Sequence, residues 1–501
     1  MKMKHDVIVV GGGIGGLTTA ALLAARGVDV CLFERNQRVG GCASTFEKLG
    51  YAFEPGPGLY AGWNAGEIHE KVFEELKIGP PETKLLSPAY SVRLPDGLDI
   101  PITTNNEEFE LSLRAAFTEC ADAAVEFYRE IEPVSDALQR LIKHTPDLRT
   151  VSGWRKTKTI LSEARIASKI FSLVQHRATQ HLTKTSQRFR RFIDAQLQIF
   201  GLCSSEECAY LYAAAALMLP RRGIHAIRGG AQALAETLVR SIKKNGGKIR
   251  LNAPVLRLAY GSSGSCIGID LLSGERVEAK EVISNLTVWD TYGKLIGPDK
   301  TPNEARQKLK LLHGWGAYLI FLQLNEERAQ KLTSECILTL SDWQENRPFN
   351  PEDSLFMFSA EPKWDKKARL DRRNATFSTF TETERWFVYH EDDSVHEELD
   401  HAMLESCWQK LHAMLPEIGD DVEVIETMTP FAFYENTRRH LGMVGGVGQS
   451  LDMFGLSSFS HRTHLQNVFM VGDSVFPGNG IAAVTQSALI VANEIAPPQK
   501  R

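Results

Sequence analysis

The sequence predicts an α/β protein in which a nucleotide-binding unit is split into three pieces and an α+β region is inserted between them. Three stretches carry this reading. "HDVIVVGGGIGGLTTAALLAARG", His5 to Gly27, reads as strand, glycine turn and apolar helix. "LQNVFMVGDSVFPGNGIAAVTQSALIVANEI", Leu465 to Ile495, repeats strand, turn and helix far along the chain. "IHAIRGGAQALAETLVRSIKKNGGKIRLNAPVLRLAYG", Ile224 to Gly261, supplies a loop, an amphipathic helix and a strand between them. The pieces are placed at 1–95, 223–311 and 425–501, and the insertions at 96–222 and 312–424.

The first stretch contains Gly11-x-Gly13-x-x-Gly16 between an apolar, β-rich run and a helix-forming one. In that setting Gly11 permits a tight turn, Gly13 lets backbone approach a pyrophosphate, and Gly16 allows close helix–strand packing. Ile14 and Gly15 open the helix, whose N-terminal amides favour an anion. A second strand, "VDVCLFER", ends at Glu34 and Arg35. A carboxylate there suits ribose hydroxyls and repels a 2'-phosphate. Gly40, Gly41 and Ser44 follow in "RNQRVGGCASTF". Gly58 lies in the Gly- and Pro-dense "GYAFEPGPGLYAG". Late in the chain, Gly472 and Asp473 end the last strand, and Gly480, Ile481 and Ala482 begin the last helix.

The chain has 501 residues, 43% hydrophobic and 24% charged, with a net charge of -5. That length favours two domains. The charge balance argues against a nucleic-acid partner. No apolar run reaches the roughly 18 residues that span a bilayer, and "MKMKHDVIVVGG" passes straight into a strand with no secretory signal. The eight cysteines form no CxxC pair, and no histidine stands at zinc-ligand spacing, so no metal site is expected. They read as reduced thiols of a cytoplasmic protein. The Asn285-Leu286-Thr287 and Asn374-Ala375-Thr376 sequons then read as chance matches.

The motifs "GGGIGGL", "RVGGCASTF", "GYAFEPGPGLYAG", "LPRRGIHAIRGGAQALAETL", "TPFAFYENT" and "VGDSVFPGNGIAAV" occur in one order over nearly the whole chain. In these the sequence resembles the carotenoid oxidoreductase branch of the FAD-dependent amine-oxidase superfamily. That branch holds phytoene and later carotenoid desaturases, carotenoid isomerases and retinol saturases. One departure is Ser487-Ala488, where many relatives carry Ser-Gly. The resemblance implies a Rossmann-like FAD-binding domain of the amine-oxidase and glutathione-reductase-like type. It places Val255 against the adenine, Asp473 at the ribityl chain or phosphates, and Gly480, Ile481 and Ala482 at the flavin. It also implies a hydrophobic polyene or isoprenoid substrate, desaturated by hydride transfer to the flavin, with quinone or dioxygen as candidate electron acceptor. The alternatives are a redox-neutral cis–trans isomerase, a retinol-saturase-like reductase and a non-catalytic prenyl-lipid carrier. The intact Gly11, Gly13, Gly16, Glu34 and Asp473 weigh against the carrier.

Arg222 and His225, in "PRRGIHAIRGG", are the candidate catalytic residues. The structural alternative is that Arg222 pairs with a carboxylate and His225 caps a turn. Residues 154–191 hold ten Lys or Arg and only one acid, Glu163, with apolar residues at helical spacing. They are expected to form a basic amphipathic surface against a membrane, making the protein peripherally membrane-associated. The run "AYLYAAAALMLP", Ala209 to Pro220, is expected to be a buried helix, lining a tunnel or filling a core.

Overall fold

A computed structural model describes residues 4–144, 170, 172–365, 371–388 and 393–498. Two seven-stranded sheets organise the described residues. In the first, the parallel strands run in the order Val468–Met470, Arg276–Ser284, Lys4–Val10, Val30–Phe33 and Lys248–Arg250. The near half of Arg276–Ser284 also pairs antiparallel with Cys266–Leu271, which pairs in turn with Val255–Tyr260. Val7, Ile8, Val9 and Val10 are all buried, so the central strand is a continuous apolar run, as a strand covered on both faces requires. On one face the helix Ile14–Ala25 packs between Gly230–Lys244 and Ile481–Ile495, joining the first, middle and last pieces in one core.

The second sheet has the order Val422–Met428, Gly316–Asn325, Arg372–Thr381, Leu355–Ala360, Cys336–Leu340, Tyr90–Arg93 and Asp99–Ile102. Only Cys336–Leu340 with Tyr90–Arg93 is parallel. The helix Asp393–Met414 covers one face over Tyr318, Phe356, Phe377 and Trp386. The expected boundaries at 95 and 425 are displaced by about one strand each, because Tyr90–Arg93 and Val422–Met428 both belong to this second sheet.

Four helices, Asn106–Ala116, Ala121–His144, Gln187–Gly201 and Tyr210–Arg222, share a core around Phe109, Phe117, Phe189, Phe192 and Tyr210. The apolar run at 209–220 is therefore a core helix. Residues 154–169 and 171 of the basic 154–191 stretch lie outside the described residues. Its described end corrects part of the basic-face expectation. Arg191 is buried, 2.9 Å from Asp194, and Arg188 pairs with Asp96 at 2.9 Å while lying over Trp343. Both belong to a helix whose Phe189 and Phe192 fill the core. Among the described residues no helix is long and apolar enough to cross a membrane. All eight cysteines are free thiols, six of them buried.

Candidate cofactor site

A cavity of about 910 Å³ opens where the strands Lys4–Val10, Val30–Phe33 and Arg276–Ser284 end. The carboxyl edge of a parallel sheet is where such folds receive ligands, and the volume is at the upper end of the range for ligand clefts. Gly11, Gly13, Ile14, Gly15, Glu34, Arg35, Gly40 and Gly41 supply one wall. Val255 supplies a second, and Gly472, Asp473, Gly480 and Ile481 a third.

Four expected residues do not line this cavity. Gly16 faces backbone: a side chain there would be driven into the Gly11 carbonyl. Ser44 donates its hydroxyl to the Gly41 carbonyl at 2.8 Å and holds the turn. Gly58 faces a separate cavity of about 80 Å³ beside Phe53 and Tyr60. Ala482 packs against Gly62 beneath the first turn of the last helix.

Glu34 is 6% exposed. Its carboxylate accepts from the Gly12 amide at 2.7 Å and the Asn36 amide at 2.9 Å. It thus secures the glycine turn as well as facing the cavity. The helices Ile14–Ala25 and Ile481–Ile495 both begin at glycines, with no side-chain cap and no acidic residue in the first turn. Their first amides are left for an anion. Arg35 adds a buried Nη1 without a hydrogen-bond partner among the described residues. Burial, reinforced by nearby Arg438, pulls its guanidinium below the ordinary value. Hydroxyl acceptors, open amides and an unpaired guanidinium on one elongated cavity fit a cofactor with a ribose and a diphosphate.

Two residues that hold the site were not singled out from the sequence. Asn285 accepts from the Gly16 amide at 2.8 Å and donates to the Val471 carbonyl at 3.2 Å, tying the first glycine turn to the last strand. It belongs to a sequon, and its role is structural. Arg439 donates to Asp473 at 2.9 Å. The motif "TPFAFYENT" stops two residues short of it; an arginine pair followed by the glycines of "GMVGGVG" was the available signal.

Arg222 and His225 do not line this cavity. Arg222 pairs with Asp136 at 2.7 Å, and its carbonyl accepts from Asn64 at 3.2 Å. His225 exchanges backbone bonds with Tyr60, and burial lowers its imidazole below the usual range.

The chain is 25% identical over 509 residues to the chloroplastic prolycopene isomerase of Daucus carota, covering 98% of this chain and 80% of that one. It is also 25% identical over 524 residues to the zeta-carotene-forming phytoene desaturase of Myxococcus xanthus, covering 98% and 93%. Among solved structures, an oxidoreductase from Methanosarcina mazei shares the fold with a TM-score of 0.62 at 16% identity, over 98% of this chain and 99% of that one. The model of the flavin containing amine oxidoreductases matches residues 14–496. The chain belongs to the flavin containing amine oxidoreductase family, and it is an oxidoreductase whose cofactor is FAD.

Proposed function

We propose that the protein acts on a long polyene, desaturating an isoprenoid or carotenoid chain. The observation that carries this reading is the similarity, over 98% of the chain, to proteins named for prolycopene and phytoene; a buried apolar core beside the cofactor cavity goes with it. Cys42 lines the cavity and packs against a cluster of Phe53, Leu319, Phe321, Met428 and Phe433 on the inner face of the second sheet. Phe46 stacks on Phe321 with ring centroids 4.4 Å apart. The similarity to proteins named for prolycopene and phytoene supports the same substrate class.

When bound, FAD supplies the hydride acceptor. The chain's own part is to hold cofactor and polyene in register and exclude water. Gly11–Gly15 and the open end of Ile14–Ala25 would receive the diphosphate, Glu34 the ribose, Val255 the adenine edge, and Asp473 the chain toward the flavin. Gly480, Ile481 and Ala482 stand at the flavin end. A cation spread over a polyene does not demand a strong base. A polyene partitions into lipid, so entry from an anionic membrane surface is part of the proposal. The cations of residues 154–191 support it, with Arg188 and Arg191 set aside because they are paired internally. Quinone or dioxygen would take the electrons onward.

The test is anaerobic incubation of the FAD-loaded protein with carotenoids in anionic liposomes, read by mass and flavin absorbance. Bleaching with loss of a hydrogen pair from the polyene is expected. An unchanged mass with altered double-bond geometry replaces this reading by isomerisation. In a second arm with the flavin reduced by dithionite beforehand, gain of a hydrogen pair by the polyene with reoxidation of the flavin replaces it by saturation.

A further inference from the structure

We propose that Arg439 is a positioning residue that keeps Asp473 an ionised acceptor on the wall of the cofactor cavity. The inference rests on the assignment of the cavity to FAD. Arg439 follows the helix Pro430–Thr437, and Arg438 between them is left-handed at φ 55. Its guanidinium reaches three parts of the wall. Nη2 lies 2.9 Å from Asp473 Oδ2 and also donates to the Gly445 carbonyl. Nε donates to the Met443 carbonyl at 2.9 Å. Nη1 lies 3.9 Å from Cys42 Sγ. The same loop is tied to the last turn again, where the Gly446 amide donates to Asn479 Oδ1 at 2.6 Å.

The pair is nearly sealed: the side chains of Arg439 and Asp473 are 14% and 15% exposed. Asp473 spends Oδ2 on Arg439, while among the described residues Oδ1 receives the Ser474 hydroxyl at 3.3 Å. Oδ1 therefore retains acceptor capacity for hydroxyls of a ligand. Burial is the largest influence on Arg439 and works against its charge, but Asp473, Cys42 and Asp290 together hold the guanidinium above its ordinary value. The other titratable groups acting on Arg439, Cys42 and Asp290, are not cations. The Cys42 thiol is pushed up by burial and stays neutral, and Asp290 is a second carboxylate acting on Arg439. Without Arg439, Asp473 would be a secluded carboxylate beside a thiol, an environment that favours the neutral acid. A protonated Asp473 loses acceptor capacity, so cofactor affinity would fall as pH falls.

The experiment measures the FAD dissociation constant by flavin fluorescence between about pH 5 and about pH 8, the window a burial-raised carboxyl enters. Wild type should stay flat within about 2-fold. R439Q should bind FAD at least ~10-fold more weakly at the acid end than at the alkaline end, a one-unit protonation effect. R439K keeps the cation but loses the fork to Met443 and Gly445. It should be weaker than wild type yet flat. The double variant R439Q/D473N should also be flat. A flat R439Q, or R439K and R439Q sharing one profile, overturns the proposal. If R439Q does not fold, D473N alone decides: FAD binding as tight as wild type overturns the proposal, and weakened, pH-independent binding supports it. Failure of the wild-type chain to bind FAD at all would instead sink the cofactor assignment.

Discussion

Glu34 serves two partners at once. A carboxylate can accept more than one bond at each oxygen, so the Gly12 and Asn36 amides leave it able to meet a ribose as well. Glu34→Gln keeps the shape but turns an amide NH2 toward one of those two backbone donors. The expected outcome is a loss of about 1.5–3 kcal/mol in the unliganded protein, seen in chemical denaturation, before any cofactor is added. Weaker FAD binding should accompany it. An unliganded Glu34→Gln protein as stable as wild type would show that the turn stands without this carboxylate. Glu34 was legible because its meaning is local: an acid at the end of the second strand after a glycine fingerprint. Asn285 was not, because its bond to Gly16 spans 269 positions and no spacing rule reaches that far. Arg439 was hidden for a related reason, since its partner Asp473 is 34 positions on and joined to it only by the fold.

At the scale of elements, the strand–turn–helix units were readable because two periodicities and a glycine turn mark them in sequence. Each helix lies where its motif puts it. The open first turn of Ile481–Ile495 follows from its composition, with no acid and no capping side chain. That leads to a prediction with opposite signs. Ala483→Asp places a carboxylate at the positive end of this helix, where it should stabilise the unliganded protein by about 0.3–1 kcal/mol. The same charge should weaken FAD binding by opposing the anionic cofactor. Melting curves with and without FAD read both effects. If the unliganded and liganded proteins shift together, the first turn does not face the cofactor. The basic stretch shows where element-level reading falls short. Charge counting over 154–191 treated Arg188 and Arg191 as exposed, although Asp194, three residues on in the same helix, meets Arg191, and Asp96, from a distant loop, meets Arg188. Partners contributed by other elements cannot be seen along one helix.

For the whole molecule, the cavity walls come from residues near 11–15, 34–43, 253–256, 285–295, 434–445 and 472–484. The sequence disclosed most of these segments as motifs. It placed 434–445 in the last piece, and part of it in "TPFAFYENT", but did not single out Arg439 there. A ligand touching all the walls links them, and saturation at 100 times its dissociation constant adds about 2.7 kcal/mol of stability. Hydrogen exchange should therefore slow in all six segments together when FAD is added to cofactor-free protein. Protection confined to the first glycine turn would show that the remaining walls do not meet the cofactor.

The helix Ile481–Ile495 packs against Ile14–Ala25, and Asp473 and Gly480 complete a cavity begun by Gly11. Chains are made from the N-terminus, and early segments can collapse while later ones are still being synthesised. A ribosome-bound chain that has emitted only its first glycine turn owns the fingerprint but not the pocket. Cofactor loading must therefore wait for the last strand and helix to be translated. A nascent chain stalled before residue 471 should be unable to retain flavin.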